Sequence, residues 1–305
     1  MMRVPHVEER LVSALGRSMT GLAAIAVCMM IWILIEVVGA GALSAMPPLE
    51  LVWLRYLVHL LLVLAVVGRG PSTTLFRTAT PLRHVGRSLL MLGMPLFWVL
   101  AAQRIPMATV LSIFWICPLV AVFLAAFVLH ESVSWMTLVA LMVGYLGVLA
   151  ALRPPVPHSG TGVLLALGMC GCFALYIVAT RWLRREETQV NLFQSALSVF
   201  VVLTVVVPFD WRWPTPSAWL AVVVIGVLGY VMLYLLDRAT HLTTVSAFAS
   251  MLFLQPTVES IWFALGSGRG VSRSLLIGVF LVTVAIILSI AAARREPAMA
   301  SGQPA

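Results

Sequence analysis

Ten long apolar runs divide this sequence, and they restrict its fold more than any other feature. Each run has about the ~20 residues that a helix needs to cross a ~30 Å hydrocarbon layer. The runs show no strand-type alternation, so we expect helices in the bilayer. The predicted spans are residues 21–45, 49–67, 86–102, 107–129, 134–152, 161–182, 189–208, 217–236, 244–265 and 272–292. We therefore predict an all-α integral membrane protein with ten transmembrane helices.

Composition and cysteine placement agree with membrane insertion. Hydrophobic residues make up 62% of the chain, against roughly 45–50% in soluble domains. Most of the nineteen basic residues, all arginine, flank the apolar runs and orient them, so we expect no nucleic-acid partner. The four cysteines lie inside apolar runs, so we expect no disulfide framework and no metal site. We find no cofactor-binding motif and expect no cofactor.

The arginines are distributed unevenly between the two sides of the predicted membrane. With the N-terminus inside, thirteen arginines fall on the cytoplasmic side, five on the opposite side, and Arg55 within a span. Positively charged residues are enriched in cytoplasmic loops. We therefore predict a multi-pass protein of the bacterial inner (plasma) membrane with both termini in the cytoplasm.

An internal repeat relates the two halves of the chain. Residues 101–120 align with residues 239–258 without a gap, and both segments fall in the fourth span of a five-span block. The alignment superposes Pro118 on Pro256, a predicted pair of helix breaks that frees backbone carbonyls for a cavity; alternatively, both prolines only bend helices for packing. Because each block has an odd number of spans, the two five-helix repeats are inverted, which is typical of alternating access.

The repeat and its connector predict five segments of the chain. They are a cytoplasmic N-terminal segment (1–20), a first repeat (21–152), a proline-rich connector (153–160), a second repeat (161–292) and a cytoplasmic C-terminal tail (293–305).

Three short motifs stand at defined places in the ten-span plan. They are Trp32 in the first helix, "PPLELVWLR" entering the second, and P-x12-E-x8-A-x6-G from Pro118 to Gly147. Together with the ten-span plan, they resemble the EamA branch of the drug/metabolite transporter superfamily. The resemblance implies transport of small polar metabolites across the inner membrane, through a central cavity lined by helices 1–4 and 6–9.

The sequence departs from the pattern of that family at three positions. Ile33 follows Trp32 where a glycine is common, and Ala140 stands where the motif usually has glycine. Arg269 occupies the second-repeat position equivalent to Glu131. The last departure argues against a symmetric role for the acids at the ends of helices 4 and 9.

Two acids, Glu36 and Glu259, lie well within predicted spans. A charge in the bilayer is costly, so each should face protein or water and have a partner. Arg55 and His59 are four residues apart on one face of the second helix, and consecutive helices are often neighbours. We therefore predict that Arg55 pairs with Glu36 beside His59, either as a structural ion pair or as a site for substrate or a proton.

The ninth span carries a polar turn, "LQPTVES", with Gln255 and Glu259 on either side of the proline. The second half has no matching basic residue. Arg55 across the cavity, a water molecule or a substrate ammonium are the possible partners of Glu259. We interpret Glu259 as a group that recognises a cation or carries a proton.

These observations predict a secondary transporter rather than an enzyme. The expected substrate is a small polar metabolite such as an amino acid or its derivative, including an amino-acid-based metallophore, and we expect export by alternating access. A sugar, nucleotide-sugar or drug transporter of the same fold is the alternative, and a membrane-embedded enzyme without a recognisable motif is the rival from another class. Expected partners are the substrate, the lipid bilayer and protons as coupling ion, in a monomer or homodimer.

Overall fold

Helices form all the regular structure in the residues described by the computed structural model, which are 12, 16–43, 46–67, 75, 78, 80–267 and 270–295. Within those residues, ten helices are long and apolar enough to cross a membrane, as predicted. Numbered spans 1 to 10 in chain order, they are Arg17–Leu43, Pro48–Val67, Pro81–Ala102, Met107–Phe114 with Cys117–Val128, Trp135–Leu152, Gly160–Trp182, Thr188–Val206, Pro216–Leu242, Val245–Phe248 with Leu254–Gly266, and Arg273–Arg295. Span 1 begins and span 10 ends at the same end of the bundle, the terminal face; the opposite end is the far face.

Spans 3 and 8 are longer than predicted, at their terminal-face ends. Span 3 begins at Pro81, which stands in the first turn where a missing N–H is tolerated. Arg87, which the prediction placed at the very end of span 3, therefore lies inside that helix and is buried, and Asp237 is likewise buried in span 8. Average hydropathy falls at these charged residues, although other helices cover them. The helix of span 3 is continuous through Pro95.

The packing of the spans has the symmetry of an inverted repeat. Spans 1 and 8 pack along each other, as do spans 3 and 6, spans 2 and 7, and spans 5 and 10. Exchanging each span with its counterpart five places along the chain turns the contact of spans 1 and 8 into that of spans 6 and 3. The same exchange turns the contact of spans 2 and 8 into that of spans 7 and 3, which is also present. The two five-helix repeats are therefore interleaved.

Spans 4 and 9 are both interrupted within their length. Span 4 stops at Phe114 and resumes at Cys117, and span 9 passes through a 3-10 segment, Ala249–Phe253. Pro118 and Pro256 stand in the first turns of the two resumed helices, where a residue without an N–H causes little loss. Both interruptions precede the prolines that the internal alignment superposes.

Glycines bring the backbones of spans 5 and 10 together. A methyl group added at Gly147 would lie 2.9 Å from the carbonyl oxygen of Gly278, and one added at Gly278 would lie 2.6 Å from the carbonyl oxygen of Gly147. Neither backbone can move away without separating the helices. Small residues at such contacts are typical of helix pairs in membranes.

Gly147→Ala is expected to lower the free energy of unfolding by about 1–3 kcal/mol, because the methyl group overpacks a backbone contact. Thermal unfolding of the purified protein in detergent measures the change. Gly171→Ala in span 6 is the matched control, since no atom lies within 4 Å of the added methyl group. Equal stability of the two variants would contradict the tight contact.

Candidate functional site

Three charged side chains lie at one depth in the bundle. Glu36 in span 1, Arg55 in span 2 and Glu259 in span 9 are each seven residues from the far-face end of their helix. At 1.5 Å per residue, this depth is about 10 Å. We refer to these three residues, together with Trp32, His59 and Gln255, as the central site.

Glu36 is held by a donor in its own helix. The Trp32 indole Nε1 donates to Glu36 Oε1 at 2.9 Å, and four residues separate the two. The predicted ion pair with Arg55 does not form in the described residues, although Arg55 is near enough to act on Glu36 electrostatically. The reason is the interleaved fold: span 1 packs mainly along span 8, and spans 1 and 2 touch only sparsely.

Arg55 lies against the backbone of span 8. A methyl group added at Gly229 would come within 2.6 Å of Arg55 Nε, so the guanidinium fills the space above this glycine. The guanidinium carbon also lies 5.6 Å from the centroid of the Tyr56 ring. Arg55 Nε and Nη2 are buried and have no hydrogen-bond partner among the described residues. Because buried donors are normally paired, these two are available to an anionic group of a ligand.

His59 is fully buried one turn below Arg55. Its ring stacks on Tyr56 at 5.9 Å and meets the edge of Tyr230 at 5.3 Å, measured between centroids. Neither ring nitrogen has a hydrogen-bond partner within the described part of the chain. We had predicted that His59 lies beside Glu36. Instead, it forms no hydrogen bond with Glu36 and packs between spans 2 and 8.

Glu259 and Gln255 form a pair like that of Glu36 and Trp32. Gln255 Nε2 donates to Glu259 Oε2 at 2.9 Å, again across four residues of one helix. Gln255 Oε1 is buried and unpaired within the described residues. The carboxylates of Glu259 and Glu36 are close enough to repel each other. A cation placed between them would be favoured by both.

An aromatic cluster adjoins the Glu36 side of the central site. The Trp32 ring centroid lies 5.2 Å from Phe173, 5.9 Å from Trp115 and 6.3 Å from Phe114. Phe114 and Trp115 stand at the interruption of span 4. The cluster is therefore built by both repeats, and its apolar rings can pack against a flat organic group.

A second polar cluster, absent from the sequence prediction, lies towards the terminal face. Arg87 and Asp237 approach to 3.9 Å with side chains 1% and 2% exposed. Asn191 Nδ2 donates to Asp237 Oδ1 at 2.9 Å, and Arg87 donates to the Asn191 carbonyl and to Ser195 Oγ. An arginine and an aspartate at the edges of two apolar runs were the available signal, but both resembled loop residues.

Glu131 lies at the end of span 4 and does not cap span 5. Ser134 caps that helix, and Glu131 Oε1 instead accepts from Arg181 Nε at 2.9 Å. Glu131 Oε2 accepts from the backbone N–H of Val245 at 2.9 Å, at the start of span 9. One carboxylate thus joins spans 4, 6 and 9 at the terminal face. Arg269, the counterpart of Glu131, lies outside the described residues.

Comparison with known proteins agrees with this architecture. The EamA-like transporter family matches residues 19–153 and 160–291, one match for each repeat. The chain is 24% identical over 239 residues to an S-adenosylmethionine uptake transporter of Rickettsia felis, covering 75% of this chain and 81% of the relative. The corresponding transporter of Rickettsia bellii is 25% identical, with 75% and 82% covered. A crystal structure with 22% identity shares the fold, with a TM-score of 0.79 over 92% of this chain and 99% of the other.

Proposed function

This chain belongs to the EamA-like transporter family, and from that membership we propose that it carries a zwitterionic amino-acid derivative across the bacterial inner membrane by alternating access. It is a metabolite transporter of ten spans and not an enzyme. The observation that carries the substrate proposal is the guanidinium of Arg55, which offers two buried donors that are unpaired within the described part of the chain, at the depth of two carboxylates. Carboxylates bind arginine in a charge-assisted, often bidentate geometry.

The chemistry of the central site favours a particular kind of amino-acid derivative. Arg55 would bind its carboxylate, and Glu36 with Glu259 would bind a positively charged group. The aromatic cluster around Trp32 would hold a flat ring. S-adenosylmethionine has a carboxylate, an ammonium, a sulfonium and an adenine, and the relatives from Rickettsia are S-adenosylmethionine uptake transporters. We therefore propose S-adenosylmethionine, or a molecule with the same set of groups, as the substrate.

The direction of transport is also part of this proposal. The sequence led us to expect export, whereas the relatives are uptake transporters. Alternating access is reversible, and the direction of net movement follows the gradients of substrate and coupling ion. The same central site therefore serves export and uptake, and transport has to be measured in both directions.

Purified protein reconstituted in liposomes tests the substrate. Labelled S-adenosylmethionine should exchange across the membrane, and unlabelled S-adenosylmethionine should compete fully. S-adenosylhomocysteine, which lacks the sulfonium charge, should compete more weakly, because the carboxylates of Glu36 and Glu259 lose one partner. Competition by nucleotide sugars or by lipophilic drugs, without competition by S-adenosylmethionine, would replace this proposal by the alternative substrate classes.

We expect both termini to lie in the cytoplasm, because arginines are concentrated on that side. Reporter fusions in the loop at residues 184–186 should give a cytoplasmic signal. Fusions at residues 155–158 and 211–214 should give a periplasmic signal. The reversed pattern would contradict this orientation and would place the terminal face in the periplasm.

Glu259→Gln is expected to abolish proton-driven accumulation of substrate while leaving substrate exchange intact. The new amide still accepts the hydrogen bond from Gln255, so the shape of the site is kept and only the proton-carrying group is lost. Accumulation under an imposed pH gradient and exchange without a gradient are measured in the same liposomes. Glu36→Gln is the matched comparison and should weaken both processes. Full accumulation by Glu259→Gln would place the coupling elsewhere.

A further inference from the structure

A basic cavity opens at the terminal face, far from the central site. Its volume is about 500 Å³, and it lies where span 3 begins and spans 4 and 6 end. Its charged lining residues are Arg83, Arg181, Arg184, Arg185, Glu131 and Glu186. Four positive and two negative side chains leave the cavity with a net positive charge.

Most of this positive charge has no carboxylate partner among the residues that the structure describes. Arg181 is paired with Glu131 at 2.9 Å, and Glu186 accepts from Thr78. The guanidinium groups of Arg83, Arg184 and Arg185 form no ion pair with a carboxylate among the described residues. These three groups face a cavity large enough for a phosphate ester, and arginine binds phosphate oxygens through its planar fork of donors.

The rim of the cavity is suited to the headgroup region of a bilayer. Trp182 lines the cavity with a side chain 51% exposed, and the guanidinium of Arg83 lies 4.5 Å from the centroid of its ring. Leu82, Val85 and Leu89 are large apolar residues exposed on span 3 next to Arg83. Tryptophan is enriched at the membrane interface. An apolar helix face that continues from the basic cavity towards the bilayer centre matches an acyl chain below a charged headgroup.

We propose that this cavity binds the headgroup of an anionic phospholipid. The phosphate lies among Arg83, Arg184 and Arg185, the glycerol packs against Trp182, and an acyl chain follows the exposed face of span 3. Basic pockets between helices on the cytoplasmic side bind anionic headgroups in this way. Since Glu131 and Arg181 also line the cavity, the bound lipid lies next to the contact that joins spans 4, 6 and 9.

Native mass spectrometry of the full-length protein with phosphatidylglycerol or phosphatidylcholine tests the proposal. Phosphatidylglycerol should remain bound and phosphatidylcholine should not. The double variant Arg83→Gln/Arg184→Gln should bind phosphatidylglycerol about 30-fold more weakly, because each interfacial arginine contributes to the attraction. Arg83→Lys/Arg184→Lys keeps the charge and should retain most of the affinity. Arg104→Gln/Arg212→Gln, which removes two exposed arginines at the far face, is the matched control and should bind normally.

Two outcomes overturn the proposal. If the glutamine variant binds phosphatidylglycerol as tightly as the unaltered protein, the lipid is bound at another place. If inorganic phosphate or glycerol phosphate at equal concentration displaces the lipid completely, the cavity is a site for a soluble anion. Circular dichroism and size-exclusion chromatography identify a misfolded variant. In that case the displacement of phosphatidylglycerol by soluble anions, measured on the unaltered protein, still tests the proposal.

Discussion

Arg55→Ala is expected to lower the affinity for substrate by about 30-fold or more. Loss of one partner from a buried, charge-assisted contact weakens binding by ~2–5 kcal/mol, and no other arginine of the described residues lies at this depth within a span. The variant should remain folded, because Arg55 Nε and Nη2 have no hydrogen-bond partner in those residues. Binding of labelled substrate to purified protein measures the effect, with unfolding temperature as the check on folding.

Gly229→Ala separates the position of the guanidinium from its charge. The added methyl group would lie 2.6 Å from Arg55 Nε, so the guanidinium must shift while its charge remains. We expect a loss of affinity of about tenfold, since a misplaced donor keeps only part of its interaction. Gly171→Ala, in open space in span 6, is the control. Unchanged affinity in both Arg55→Ala and Gly229→Ala would remove Arg55 from the substrate site.

Glu131→Ala is expected to lower the free energy of unfolding by about 3–5 kcal/mol. The substitution leaves Arg181 as an unpaired charge in a site where its side chain is 6% exposed, and a broken buried ion pair has a loss of this size. It also removes the acceptor for the first N–H of span 9. Unfolding in a mixed-detergent titration measures the loss.

The double variant Glu131→Ala/Arg181→Met separates two contributions to stability, the ion pair and the hydrogen bond from the first N–H of span 9 to Glu131. Without a charge at position 181, no buried charge is left unpaired, so the loss should be smaller than in the single variant. The remainder, about 1 kcal/mol, corresponds to the lost acceptor for the backbone N–H of Val245. An equal or greater loss in the double variant would show that the two side chains stabilise the protein independently.

The ten spans were predictable because the length of an apolar run is set by the thickness of the bilayer. The inverted repeat was also predictable, since the prolines of spans 4 and 9 keep the same register in both halves. The ends of spans 3 and 8 were not, because Arg87 and Asp237 stand at the polar ends of the two apolar runs although other helices bury them. Hydropathy describes the side chain itself and not the helices that pack around it in the fold.

The contacts of the central site were less predictable than its members. Pairing Glu36 with Arg55 assumed that consecutive helices touch, and the interleaved repeats place span 1 along span 8 instead. The local partners of the two acids, Trp32 and Gln255, each lie four residues earlier in the same helix and were within reach of helical periodicity. The contact of Arg55 with Gly229 could not be predicted, because a single sequence does not show which helices cross.

The depth of the central site has an electrical consequence. At about 10 Å from the far face, a ligand entering from that side crosses about a third of a ~30 Å hydrocarbon layer. A unit charge crossing the whole membrane gains or loses ~2.3 kcal/mol per 100 mV. For a substrate of net charge +1, such as S-adenosylmethionine, binding from the far face therefore changes by roughly 0.8 kcal/mol per 100 mV, and binding from the terminal face by roughly 1.5 kcal/mol. The voltage dependence of the apparent affinity thus reports the face from which the substrate entered.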